Sequence, residues 1–335
     1  MNIGEIAKLA GVSRSTVSYV LSGKRQVSPE LHERITRVIE ESGYRPNATA
    51  RALAEGSTRT IGLVIPPTGP HLSVDQLHFV GAVAEAAADH DYDVLLSPSG
   101  PERQTSFDRM VTEKRVDGLI LMETVLRDPR VTRLADQGFP FVTIGRTGAD
   151  DSHGWVDLDY AGLVAEGVRR LHALGHKAIA LVNRPQELLD HEYGPAFRAA
   201  DAFEKATVEL SVAGFALCCE DSDEAAAGCL ATILAQAPDT TAVLTINERS
   251  LAGLVVALSS AGKHIPDDMS VLAITSVRNA TAVRPQISAA DVPAAEMGEA
   301  AVDALLRRIG SIAEPAPNIL LAPPFVDRGS VSAPA

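Results

Sequence analysis

From Ile61 onward the chain repeats one pattern, a short apolar β-rich run followed by a helix-compatible stretch. The runs are Ile61–Ile65, Val94–Leu96, Leu119–Leu121 and Phe141–Ile144, then Ile179–Val182, Phe215–Cys219, Val243–Thr245 and Val271–Ile274. Helix candidates between them include Phe79–Ala88, Tyr160–Leu174, Glu224–Ala235 (capped by Ser222 or Asp223) and Leu251–Ala261. Strands alternating with helices at intervals of roughly 25–35 residues predict parallel sheets built from βαβ units. Runs that are apolar throughout fit sheets covered by helices on both faces. Two series of four predict two similar α/β lobes, with ligands bound at the carboxyl ends of strands and in the cleft between lobes.

The first 45 residues read differently. Asn2 with Glu5 forms a capping-box pattern, and Ile3, Ile6, Ala7 and Ala10 then share one helical face before Gly11. Ser13 can cap a second helix, Arg14 to Leu21, whose Val17, Val20 and Leu21 point inward, with Gly23 closing it. Ser28-Pro29-Glu30 opens a third, with Leu31, Ile35, Val38 and Ile39 on its inner face and Gly43 after it. Three short helices, the first two joined by a tight glycine turn, predict a helix-turn-helix, whose second helix enters the DNA major groove. That helix would expose Arg14, Ser15, Ser18 and Tyr19. A three-helix docking or oligomerisation domain has the same pattern.

Charge separates the two parts. Residues 1–60 hold nine Lys+Arg against six Glu, a net of +3, while the remainder holds 21 basic and 37 acidic residues, a net of −16. A basic head on an acidic body implies an anionic partner for the head alone. With 335 residues, two or more domains are expected. No stretch reaches the roughly 20 uncharged apolar residues of a membrane span. The N-terminus lacks the basic-then-apolar run of a signal peptide. Three cysteines (Cys218, Cys219, Cys229) make neither a CxxC pair nor a disulfide framework. Cytoplasmic residence is the expectation.

A specific resemblance sharpens this reading. The stretch from Ile6 to Leu21, then Val27-Ser28 and Gly43-Tyr44-Arg45-Pro46-Asn47, resembles the DNA-binding headpiece of the lactose-repressor (LacI/GalR) family pattern. The resemblance implies base-reading positions at Arg14, Ser15 and Tyr19, and backbone-positioning ones at Ser13, Ser22, Gln26 and Ser28. Founding members often carry Arg or His where Tyr19 stands. A tyrosine cannot grip guanine bidentately, so the operator half-site should differ there.

Asn47 to Ala54 is helix-prone between Pro46 and Gly56 but about two turns long, far short of the roughly 12–15 residues an isolated helix needs. In the LacI-like picture two such hinges from a dimer fold together in the minor groove, with Asn47 and Ala50 facing it and Leu53 as a wedge that opens a central base step. A passive linker is the other reading. The implied organisation is a head over residues 1–46, a hinge and linker over 47–60, and a two-lobed periplasmic-binding-protein-like body over 61–335. The chain would cross between lobes near Tyr160, Ala290 and Ala322.

For the cleft, sugar-binding members of the family usually carry an Asn-Asp pair near 245 and a Gly-Tyr-Asp near 272. This chain has Asn247-Glu248 and Ala273-Ile274-Thr275 instead, so Thr275 replaces a charged grip with a neutral one. Arg198 lies close to the family's ligand-clamping arginine. Arg146 follows the fourth strand, and His71 sits in the loop after the first, which Pro66-Pro67 stiffens. The implied effector is a small molecule, sugar-like or another metabolite but not a standard pyranose, unless regulation has been lost.

No phosphate loop, dinucleotide fingerprint, HExxH or GxSxG occurs, and the histidines lack metal spacing. No cofactor, metal or catalysis is therefore expected. The resulting expectation is a homodimeric repressor binding a palindromic operator, a dimer being favoured because no heptad repeat follows the body. A solute-binding protein or a head-fused enzyme of the same body fold are the alternatives.

Overall fold

The computed structural model describes residues 1–22, 27–44, 56–66, 72–98, 104–148, 153–311 and 317–335. The head consists of α1 (Ile3–Leu9), α2 (Arg14–Ser22) and α3 (Pro29–Ser42). In α1 the Asn2 side chain accepts from the Gly4 and Glu5 amides, and the Glu5 carboxylate accepts from the Asn2 amide at 2.8 Å, closing the capping box. The Ser13 hydroxyl accepts from the Thr16 amide at 3.1 Å, and that of Ser28 from the Leu31 amide at 3.4 Å. Gly43 ends α3 with φ of 62°, the left-handed conformation that glycine adopts without steric cost. Ile6, Val17 and Ile35, one from each helix, are fully buried together and form the head's core.

The body holds two six-stranded sheets. The first contains β1 (Thr60–Val64), β2 (Asp93–Ser97), β3 (Gly118–Leu121), β4 (Phe141–Ile144), β5 (Trp155–Leu158) and β11 (Asn318–Leu321), in the order β11-β5-β4-β3-β1-β2 and parallel throughout. The second contains β6 (Ala178–Asn183), β7 (Ala213–Cys218), β8 (Ala242–Thr245), β9 (Ser270–Ile274), β10 (Ser288–Ala290) and β12 (Phe325–Val326). Its order is β12-β10-β9-β8-β6-β7, with only β12 antiparallel. The eight apolar runs all fall on strands. Central strands such as β3, β4, β6 and β8 are buried along their whole length, because helices cover both faces.

The helices are α4 (Val74–Asp89), α5 (Gln104–Thr112), α6 (Pro129–Asp136), α7 (Tyr160–Ala173), α8 (Gln186–Asp190), α9 (Gly194–Glu209), α10 (Asp223–Gln236), α11 (Leu251–Ser260), α12 (Val277–Ala282) and α13 (Ala294–Gly310). Their order along the chain does not respect the lobes. β5 belongs to the first sheet, yet α7 buries Val164, Val168 and Leu171 in the second lobe's core beside Ile179 and Leu244. β10 belongs to the second sheet, yet α13 buries Met297, Ala301 and Leu305 beside Ile61 and Val83 of the first. Gly298 allows α13 to close on α4, since a Cβ there would stand 2.8 Å from the Cβ of Ala82. β11 then joins the first sheet and β12 the second. The chain therefore passes between lobes at residue 159, at 291–293 and at 322–324.

Candidate functional site

The head presents one polar face. On α2, Val17 is fully buried, while Arg14, Ser15 and Tyr19 are exposed and Ser18 is half-buried. The Arg14 guanidinium lies over the backbone of Gly4 in α1, where a Cβ would stand 2.7 Å from its Nε. Ser13 is engaged as the helix cap, its Oγ lying 3.0 Å from that of Ser15 and 2.8 Å from Oγ1 of Thr16. Ser28 likewise caps α3. Both serines thus have a local structural task besides the positioning role expected of them. Tyr19 is 38% exposed. Gln26, Asn47, Ala50, Leu53 and His71 lie outside the described residues, as does the side chain of Ser22.

Between the lobes is a cleft that opens to solvent. Its walls come from the carboxyl ends of strands, where open parallel sheets place their ligands. Glu123 follows β3, Arg184 follows β6, Asp221 follows β7, Glu248 and Arg249 follow β8, and Ser276 follows β9. Asp75 joins them from the first turn of α4.

The second lobe's wall is built of matched charges. Arg184 forms a two-pronged pair with Glu248, at 3.0 Å (Nη1–Oε1) and 2.5 Å (Nη2–Oε2). Burial raises the Glu248 carboxyl above its ordinary value, and Arg184 opposes that shift. Burial also works against the Arg184 cation, but Glu248 and its other neighbours outweigh it and hold its pKa well above the usual arginine value. The same guanidinium lies 5.9 Å from the centre of the Tyr193 ring. Arg249 pairs with Asp221 at 2.8 Å.

The first lobe's wall is acidic. Glu123 accepts from Gln76 Nε2 at 3.0 Å and is hydrogen-bonded to Tyr193 of the second lobe. Asp75 accepts from Asn279 Nδ2 at 3.2 Å and from the Ser276 hydroxyl at 3.3 Å, both across the cleft. Asp157, on β5, is pushed up to about 6 by burial, against the pull of Arg198 and Arg146. Arg146 Nε stands 3.1 Å and Arg198 Nη1 3.7 Å from its Oδ2.

Backbone contacts also cross the gap. Val125 forms an antiparallel bridge with Tyr193, and the Leu126 amide donates to the Glu192 carbonyl at 2.9 Å.

The described residues expected at the ligand stand behind the cleft wall rather than in it. Asn247 is fully buried and turned away from the cleft; its amide donates to the Cys219 carbonyl at 2.7 Å and its Oδ1 accepts from the Arg249 and Ser250 amides. Thr275 is buried as well, its Oγ1 accepting from Asn279 at 3.3 Å. Arg198 reaches from α9 to the carbonyls of Arg146 (2.8 Å) and Thr147 (3.0 Å), tying the lobes together. Arg146 stacks 5.5 Å from the Trp155 ring centre. None of these four lines the cleft, although Arg146 and Arg198 hold Asp157, which does. Arg184, Glu248, Glu123, Tyr193 and Asp75 went unrecognised. The first three stand within three residues of the end of a predicted strand, and that position was the available signal.

No group of His, Cys, Asp and Glu among the described residues is arranged to hold a metal ion, and none of their helices is long and apolar enough to cross a membrane.

Comparison with known proteins agrees with this architecture. Residues 2–47 match the family model of bacterial regulatory proteins, lacI family, and residues 168–331 match that of the periplasmic binding protein-like domain. The chain is 30% identical to the HTH-type transcriptional repressor PurR of Erwinia tasmaniensis, over 98% of this chain and 96% of that protein. It is 36% identical to the HTH-type transcriptional regulator AglR of Rhizobium meliloti over 56% of this chain, an alignment that spans about half (54%) of AglR. The match to the HTH-type transcriptional regulator RafR of Escherichia coli likewise spans 57% of that protein. Among solved structures, the lac repressor dimer bound to operator and the anti-inducer ONPF superposes with a TM-score of 0.84 at 23% identity, over 99% of both chains. A complex of the transcriptional regulator CelR with cellobiose gives 0.72 at 24% identity, over 98% of this chain and 99% of that one. At these identities the likeness to solved structures is one of fold.

Proposed function

This chain belongs to the lacI family of bacterial regulatory proteins, and from that premise we propose that it is a repressor that binds a palindromic operator as a homodimer and is regulated by a small molecule in the cleft. The observation that carries the reading is the pairing of a polar, exposed α2 face with a two-lobed body whose cleft is lined at the strand ends. Arg14, Ser15 and Tyr19 read bases, and Tyr19 sets a preference unlike that of an arginine. Ser13, Ser22, Gln26 and Ser28 position the head on the DNA backbone, and Ser18 belongs to the same DNA-facing surface of α2. Leu53, with Asn47 and Ala50, serves the minor groove.

Dimerisation is supported by exposed apolar side chains on the body. Val74 and Leu77 on α4, Leu96 on the edge strand β2 and Val277 on α12 are between 39% and 51% exposed. A second copy is the occupant that a dyad-symmetric operator requires.

The cleft favours an uncharged or cationic, hydroxyl-rich effector. Its arginines Arg184 and Arg249 are each matched by a carboxylate, while Asp75 and Glu123 add negative charge. Neither arginine among the described lining residues is without a carboxylate partner, so a phosphorylated or carboxylated ligand would meet the repulsion of Asp75 and Glu123.

Selection of bound sequences from a random duplex pool at near-physiological salt tests the reading. The expected result is a palindrome with a flexible pyrimidine–purine step at its centre. Failure to enrich a motif, with and without added cell metabolites, would overturn it.

A further inference from the structure

The head is joined to the body through Ser57-Thr58-Arg59, which lead into β1, and β1 lies between β2 and β3 in the first sheet. One carboxylate holds all three residues. Asp117, immediately before β3, accepts from the Ser57 hydroxyl at 2.5 Å, the Thr58 amide at 2.7 Å, the Thr58 hydroxyl at 2.8 Å and the Arg59 amide at 3.0 Å. Neighbouring strands reinforce the clasp: the Asp117 amide donates to the Thr60 carbonyl at 2.7 Å, and the Asp93 amide to that of Arg59 at 2.9 Å. Arg59 has φ of 51°, a conformation that L residues other than glycine keep only where their surroundings impose it. Its guanidinium lies 5.5 Å from the centre of the Tyr92 ring.

Asp117 stands at the opposite end of the sheet from the cleft, yet one strand reaches both. β3 begins at Gly118, and its carboxyl end continues into Glu123, which lines the cleft, and into Val125 and Leu126, which cross to the second lobe. β3 is wholly buried and hydrogen-bonded to β1 on one side and β4 on the other. The six residue steps from Asp117 to Glu123 span about 20 Å at roughly 3.3 Å per step.

We propose that Asp117 is the positioning residue by which the first lobe fixes the root of the DNA-binding head, and that β3 connects this clasp to the cleft. The inference rests on the reading of the head as operator-binding. Engaging two half-sites at once requires both heads to leave the body in a defined geometry. A loosened root adds conformational freedom that must be lost on the operator. Non-specific binding, driven by phosphate contacts, carries no such requirement.

The test uses the full chain and the operator obtained by pool selection. Binding to the operator and to a scrambled duplex of equal length is measured at several salt concentrations for Asp117→Ala and for the double variant Ser57→Ala/Thr58→Val. The double variant removes two hydroxyl donors and keeps Asp117 with both backbone donors. Asp117→Ala should weaken operator binding about tenfold and the double variant severalfold, while scrambled-duplex binding and its salt slope stay within about twofold. Asp117→Asn should fall between them, because its amide nitrogen would face the Arg59 amide donor. Operator binding within twofold of wild type in the folded variants would overturn the clasp, as would an equal loss on both duplexes. If Asp117→Ala does not fold, the double variant decides. If selection returns no operator, the operator reading itself fails and the clasp with it.

Discussion

The two lobes share a strand order but satisfy their charges in different ways. In the second lobe Arg184 meets Glu248 and Arg249 meets Asp221, and all four residues belong to that lobe. In the first lobe Asp75 finds its donors, Asn279 and Ser276, across the cleft, and Glu123 shares Tyr193 there. The second lobe's ion pairs are closed within that lobe, although Asp75 and Glu123 across the cleft act on Glu248, and Glu123 on Arg184. The first lobe's acids take hydrogen-bond donors from the opposite wall. Asp157 and Glu123 each draw on both sides, Asp157 through Arg146 of its own lobe and Arg198 of the other, Glu123 through Gln76 and Tyr193.

The largest test of that contrast is Arg184→Leu, which leaves the Glu248 carboxylate buried without its cation. Global stability by thermal or urea unfolding should fall by about 3 kcal/mol, and Arg184→Leu/Glu248→Leu should recover most of it. A single variant as stable as wild type would break the comparison.

Next comes pH. The carboxyl of Asp157 titrates at about 6 in the fold against 3.8 when unperturbed, with burial as the main cause. Between those values the folded state binds the extra proton, so this group's contribution is full below the unfolded value and is lost as pH rises through about 6. Raising the pH from 4 to 7 should therefore cost on the order of 3 kcal/mol at this site. Unfolding measured across that range should show the component in wild type and not in Asp157→Asn; identical slopes would refute it.

The smallest effect is expected from Glu123→Gln and Asp75→Asn. Each keeps an acceptor oxygen for its neutral donors, so stability should change by less than about 1 kcal/mol. A loss as large as that of Arg184→Leu would mean that the lobes do not differ as described.

Much of this molecule is local and was therefore readable. The head's caps at Asn2, Ser13 and Ser28 depend on residues within a few positions, and eight strands show as continuous apolar runs. β5, β10, β11 and β12 escaped for different reasons: β10 and β12 have only three and two residues, β10 is Ser-Ala-Ala without a β-branched residue, and β5 and β11, though as long as β3, carry Asp157 and Asn318. Their pairing is decided by neighbours far along the chain. The cleft was legible by loop but not by side chain. Asn247 and Thr275 stand in the right loops, yet the backbone there turns both inward, and adjacent Glu248 and Ser276 face the cavity instead. Which of two consecutive residues faces a cleft depends on how two lobes meet, and no local pattern encodes that.

The three passages between lobes also govern how the protein is made. Neither lobe is a continuous stretch of chain: the first needs α13 and β11, and the second needs β12. During synthesis the head, complete by residue 44, can fold as soon as it emerges. The first lobe lacks its last strand until residue 321, and the second until residue 326. A chain interrupted between the head and residue 321 would carry a finished head with neither sheet complete.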